Sequence, residues 1–254
     1  MPRDDAFRDP VPPAARQPAI TIKLPRITPQ RRERAVKLLA ALREHYGDAT
    51  CELIYSTPHE LLIATILSAQ TTDVAVNKVT PALFKAFPTP RAFADATPAQ
   101  IEPFIQSIGL FRNKAKAVHA AMTTLCDTFG GEVPQTMEQL LTLRGVARKT
   151  ANVVLGNAFG LNAGFVVDTH IARLAMRLNL IPKSAVGNAD NPNVAAIEKW
   201  LMAQFPQESW CDVSHMLIWH GRRACKARMA CCCDHTICRE FGTACDLPRE
   251  KRKA

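Results

Sequence analysis

The sequence predicts an all-α fold. Three observations carry this: threonine–proline helix starts recur along the chain, apolar residues keep helical spacing, and extended runs are nearly absent. From Arg31 to Tyr46 the apolar positions follow a helix and stop at Gly47. In STPHELLIATILSA, Thr57 is the cap, Pro58 the first helical residue, and Glu60 completes a capping box. ATPAQIEPFIQSIG repeats the device with Thr97, Pro98 and Gln100, and ends at Gly109. KAKAVHAAMTTLCDTFGG forms the next helix, closed by Gly130 and Gly131. Thr136 and Gln139 open a short helix leading to Arg144. Helices over 148–159, 170–179, 194–205 and 210–220 follow, the last ending at Gly221. Only FVV, at 165–167, reads as extended. No solenoid-type repeat is present, so the class is many short helices joined by Gly or Pro turns.

The 254 residues, 47% of them apolar, suffice for one domain or two closely packed ones. A net charge of +9 and a pI near 9.3 suit a polyanionic partner, nucleic acid above all. No apolar run is long enough for a membrane span, and the N-terminus lacks the apolar core of a secretory signal. Residues 1–29 hold seven prolines among mixed charges and are predicted to form a disordered tail. Asp4, Asp5 and Asp9 count against a transit peptide, so a cytoplasmic protein is expected. Of nine cysteines, Cys51, Cys126 and Cys211 are scattered and read as buried thiols. The other six crowd into 225–245 and read as a metal site rather than a disulfide framework.

The most informative stretch is LTLRGVARKTANVVLGNAFG, residues 141–160. One helix stops at Arg144-Gly145-Val146 and another starts at once. Such a turn presents backbone N–H groups and can grip a phosphate without reading a base. Lys149 sits in the first turn of the second helix, beside Arg148, where a cation is least welcome. Both neighbours favour a neutral amine, which is what a Schiff-base nucleophile requires. In FVVDTHIARLAMRL, Asp168 precedes a helix. It reads as an N-cap whose carboxylate stays charged; near a lysine such a group could take a proton from the amine or stabilise a sugar cation.

LRGVARKTANVVL resembles the helix-hairpin-helix of the endonuclease III family of DNA glycosylases. VVDTH resembles that family's aspartate element, ILSAQTTDVAVNKVTPALF (66–84) its early DNA-facing helix and loop, and IQSIGLFRNKAKAV (105–118) its wedge loop. The likeness spans about 30–245. It implies a bifunctional N-glycosylase and AP lyase of base excision repair, removing oxidised or ring-saturated pyrimidines from double-stranded DNA. Lys149 matches the catalytic lysine and Asp168 the catalytic aspartate. Gln70 matches the residue that fills the vacated gap, and Leu110 the apolar wedge. Ser68, Thr72, Asp73 and His170 fall in the matched motifs as pocket residues. Arg144, Gly145, Val146, Ala147 and Arg148 form the DNA-binding hairpin. The family usually has proline where Arg144 stands and glycine where Ala147 stands. If position 147 needs positive φ, alanine costs about 1 kcal/mol there.

The family holds a [4Fe–4S] cluster with Cys-x6-Cys-x2-Cys-x5-Cys spacing. Cys225 to Cys232 fits the first gap, and no Cys-x2-Cys exists here. The resemblance therefore implies Cys225, Cys232, Cys238 and Cys245 as ligands, with Cys231 or Cys233 as alternates for Cys232. Spacing alone leaves zinc open; the resemblance implies iron–sulfur. Lys226 and Arg228 of this loop are expected to meet phosphates. The implied architecture is a six-helix lobe over 51–161, holding the hairpin, and a cluster lobe of 30–50 plus 162–254. Lys149 and Asp168 face each other across the cleft. A monomer acting at the nucleoid on damaged or abasic duplex is expected. A monofunctional thymine or adenine mismatch glycosylase is the sister reading, opposed by Lys149. A non-catalytic DNA-binding module would need neither Lys149 nor Asp168.

Overall fold

The computed structural model describes residues 17–185, 187, 192–227 and 235–243. Among these the regular structure is helical: α1 (Pro29–Tyr46), α2 (Pro58–Leu67), α3 (Asp73–Ala86), α4 (Pro90–Asp95), α5 (Pro98–Ile105), α6 (Phe111–Phe129), α7 (Met137–Leu140), α8 (Arg148–Phe159), α9 (Thr169–Arg177), α10 (Val194–Gln204), α11 (Trp210–Arg223) and α12 (Thr236–Phe241). Threonines 28, 57, 72, 89 and 136 each cap a helix by accepting a backbone N–H, worth about 1 kcal/mol apiece. The Thr97 box closes as predicted, the Thr97 N–H donating to Gln100 Oε1 at 2.7 Å. At α2 the Glu60 carboxylate reaches back to the Ser56 N–H, one residue before the cap, at 2.6 Å.

Three expectations are corrected. Residues 165–167 pair with no strand among the described residues; their side chains are buried and the segment is a connector. Gly221 does not end α11, which continues to Arg223. A Cβ at 221 would lie 3.1 Å from His170 Cβ, so this glycine lets α11 press against α9. Residues 17–28, expected to belong to a disordered tail, lie against the body, while residues 1–16 fall outside the described residues. Gln17 donates to Gly160 O and accepts from the Asn162 N–H, and Ile22 and Leu24 pack on a core. Helices α4 and α12 escape the helical reading of the sequence, and α3 entered it only within the stretch 66–84 that the resemblance reads as helix and loop.

Two hydrophobic cores form. One runs from Leu53 to Leu161 and is built by α2–α8 around Leu61, Leu67, Phe93 and Ile105. The other joins α1 to α9–α12 around Leu38, Leu42, Phe165 and Trp210. Each buried leucine contributes about 2 kcal/mol. The chain passes between the cores at 47–52 and 161–165, and those connectors bring α8 of one core against α11 of the other.

Candidate active site

Tight packing shapes the turn between α7 and α8. Gly145 has φ +83°. A Cβ there would sit 3.2 Å from Ala117 Cβ and 3.4 Å from Ile66, so both backbone and space require glycine. Ala147 has φ −95°, the extended region, and pays none of the penalty foreseen for it. Val146 turns inward: its side chain joins the six-helix core and its N–H donates to Leu143 O. Arg144 and Ala147 are exposed. Ala147 has no side-chain acceptor, so no side chain caps the first-turn N–H groups of α8.

Lys149 is the second residue of α8 and is exposed. The Arg148 charge beside it is paired: its Nε donates to Glu198 at 2.7 Å. Glu198 lies on α10 with its side chain buried, and it also accepts from Asn152 at 3.1 Å. Gly164 makes room for this, since a Cβ there would collide with both Glu198 and Asn152. Arg148 therefore ties the hairpin helix to the other core. Asp168 is the N-cap of α9, its Oδ1 accepting from the Ile171 N–H at 2.8 Å. The capping bond fixes the carboxylate's position.

Lys149 and Asp168 line one cavity of about 80 Å³ between the cores. Ser68 and Asp73 line it too; Thr72 and His170 do not. Thr72 caps α3. His170 packs at the α9–α11 interface, with its ring 3.3 Å from Arg173, and burial pushes its pKa down. Sequence reasoning missed Glu52, Ser214, Trp219 and Arg222, which also line the cavity. Arg222 donates to Glu52 and to Asp73, the latter at 2.9 Å, joining α11 to the opposite core at the cavity wall. Basic residues in the last turn of α11 read in sequence as dipole partners, so the pairing carried no separate signal.

The two residues expected to enter the duplex share an unusual backbone. Gln70 has φ +54° and Leu110 φ +60°, two of three non-glycine residues with positive φ among those described. Both side chains are exposed. Left-handed conformations in non-glycine residues cost about 1–2 kcal/mol and collect at functional sites.

A second constellation lies just beyond the cavity, at the C-terminal end of α11. His220, Cys225 and Cys238 bring ligand atoms within 4.8 Å of one another. His220 Nε2 is 3.1 Å from Cys238 Sγ, and Arg177 donates to Cys225 Sγ at 3.4 Å. Tyr46 Oη bridges His220 Nδ1 at 3.1 Å and His235 Nε2 at 2.9 Å. Burial pushes the His220 pKa down to about 3. Two thiols and an imidazole converging in a buried place suit a thiophilic metal, iron or zinc. Cys231, Cys232, Cys233, Cys245 and Arg228 lie outside the described residues. Lys226 is exposed beside Cys225, its carbonyl held by Arg177.

Residues 63–193 match the family described as HhH-GPD superfamily base excision DNA repair protein. Endonuclease III of Synechocystis sp. is 50% identical over 202 residues, covering 80% of this chain and 89% of that protein. Endonuclease III of Escherichia coli K12 is 41% identical over 197 residues, covering 78% and 89%. A solved structure of a trapped endonuclease III–DNA covalent intermediate superposes with a TM-score of 0.76 at 37% identity, covering 87% of this chain and 97% of that one.

Proposed function

Because this chain belongs to the endonuclease III family of HhH-GPD base excision repair proteins, we propose that Lys149 and Asp168 carry out its chemistry. The activity is that of a base excision repair DNA glycosylase with AP lyase action. The observation that supports these two residues is their meeting in one cavity between the cores.

The Lys149 amine attacks C1′ of the flipped nucleoside. The glycosidic bond breaks with its electron pair on the leaving base, which takes up a proton. Asp168 stabilises the cationic sugar and accepts the proton that the attacking amine loses. Opening of the sugar gives a Schiff base at C1′. Loss of a C2′ proton then expels the 3′ phosphate, which nicks the strand. The uncapped N–H groups at the start of α8, with Arg144 alongside, hold a backbone phosphate and keep C1′ in reach of the amine. Gln70 and Leu110 fill the gap left in the stack. Oxidised and ring-saturated pyrimidines stack weakly and are the class such a pocket extrudes most readily. The protein works as a monomer at the cytoplasmic nucleoid, on damaged or abasic duplex.

The metal is read as [4Fe–4S], held by Cys225, Cys232, Cys238 and Cys245. When bound it would supply a structural tie, holding α12 against α1. Iron and sulfide analysis of purified protein decides between this and zinc.

Borohydride trapping on a duplex with one abasic site tests the mechanism. Wild type is expected to form a covalent adduct and Lys149→Gln none. Equal adducts from both would remove Lys149 from the reaction.

A further inference from the structure

Lys114 is a lysine with 5% of its surface exposed, one turn into α6. Its backbone N–H donates to Leu110 O at 3.0 Å, the first helical bond after the wedge residue. Its Nζ crosses to the loop between α2 and α3 and donates to Thr71 Oγ1 at 2.5 Å. Thr71 follows Gln70 directly, its N–H donates to Ser68 O at 3.0 Å, and its hydroxyl turns back to Ala69 O at 3.4 Å. One side chain thus connects two loops about 40 positions apart in sequence, each carrying an exposed residue in the left-handed region. Burying an amine is costly without a hydrogen-bond partner, and desolvation pushes the Lys114 pKa down. A leucine here would fill the same space at no such penalty, so packing alone does not account for lysine.

We infer that Lys114 and Thr71 are positioning residues that lock the Gln70 loop to the Leu110 loop, so that both enter the duplex as one rigid unit. The inference rests on the reading that Gln70 and Leu110 fill the gap. A base leaves the stack only while both sides of the vacancy are supported, and loops that moved independently would support it only part of the time. The lock matters where there is a stack to fill. It is irrelevant to Lys149 reacting with an abasic site in single-stranded DNA.

The test uses the full chain and the variants Lys114→Met, Thr71→Val, Thr71→Ser, the Lys114→Met/Thr71→Val pair, Gln70→Ala and Leu110→Ala. Each is measured in single-turnover excision of thymine glycol from duplex and in borohydride trapping on single-stranded abasic DNA. A 2-aminopurine opposite the lesion reports gap filling. Lys114→Met and Thr71→Val are expected to slow duplex excision and gap filling by about tenfold each, with single-strand trapping unchanged. The double variant should be no slower than either single one, and Thr71→Ser should restore the wild-type rate. Equal losses on duplex and single strand, additive losses in the pair, or no loss at all would overturn the lock. If Gln70→Ala and Leu110→Ala are themselves silent on duplex, the gap-filling reading fails first. If those two are slow while Lys114→Met and Thr71→Val are fast, only the lock fails.

Discussion

Leu110 holds an exposed apolar side chain on a left-handed backbone, a combination that stability alone would not favour. Glycine at this position relieves about 1–2 kcal/mol of backbone strain and returns about 0.5–1 kcal/mol to the unfolded chain's entropy. Leu110→Gly is therefore expected to leave urea stability unchanged or raise it by up to about 1 kcal/mol. Single-turnover excision from duplex should fall at least about tenfold, since the wedge is gone. A parallel loss of stability and excision would show that the leucine is held for packing. That Ser68, Asp73, Lys149 and Asp168 would come together was legible in the sequence because motifs name side chains. Backbone state was not: nothing marks Gln70 as left-handed, and position 147 was suspected of a positive φ that the turn places at Gly145 instead.

At the scale of elements, threonine and proline gave away most helix starts because capping is local chemistry between residues three apart. What glycine does is decided by neighbours distant in sequence. Gly221 looked like a stop and is a contact point for α9. Arg148 looked like a phosphate ligand, but in the described chain its guanidinium is engaged with Glu198, 50 residues away. That pair and Asn152 fasten α8 to α10. Removing the buried carboxylate leaves an unpaired guanidinium and an Asn152 amide with only its 3.4 Å bond to Phe165 O. Glu198→Ala is expected to lower stability by about 2–3 kcal/mol in urea titration, below the roughly 3–5 kcal/mol of a fully buried pair because Arg148 is 39% exposed. Glu198→Gln should retain the Asn152 bond and lose less. A change below about 0.5 kcal/mol for Glu198→Ala would mean that the two cores are fastened elsewhere, Arg222 being the next candidate.

For the whole molecule, the described residues form two cores joined by two connectors, with Lys149 on a helix of one and Asp168 capping a helix of the other. The metal constellation belongs wholly to the second. Stripping the metal is expected to lower hydrogen-exchange protection in α1, α11 and α12 while leaving α2–α6 near their original values. Uniform loss across both cores would show that they unfold as one unit. The second core is also assembled from the two ends of the described chain: Ala35, Leu38, Leu39 and Leu42 of α1 pack with residues that arrive only after position 165, and Arg34 donates to Phe241 O. During synthesis the first core can complete once residue 161 has emerged, whereas α1, among the earliest segments made, keeps an apolar stripe uncovered until nearly the last. At ribosomal speeds of about 5–20 residues per second, that interval is of the order of ten seconds. A nascent chain in this interval already carries the α7–α8 turn but lacks the second core against which Asp168 is set; on the roles proposed above, it would hold DNA before it could cut it.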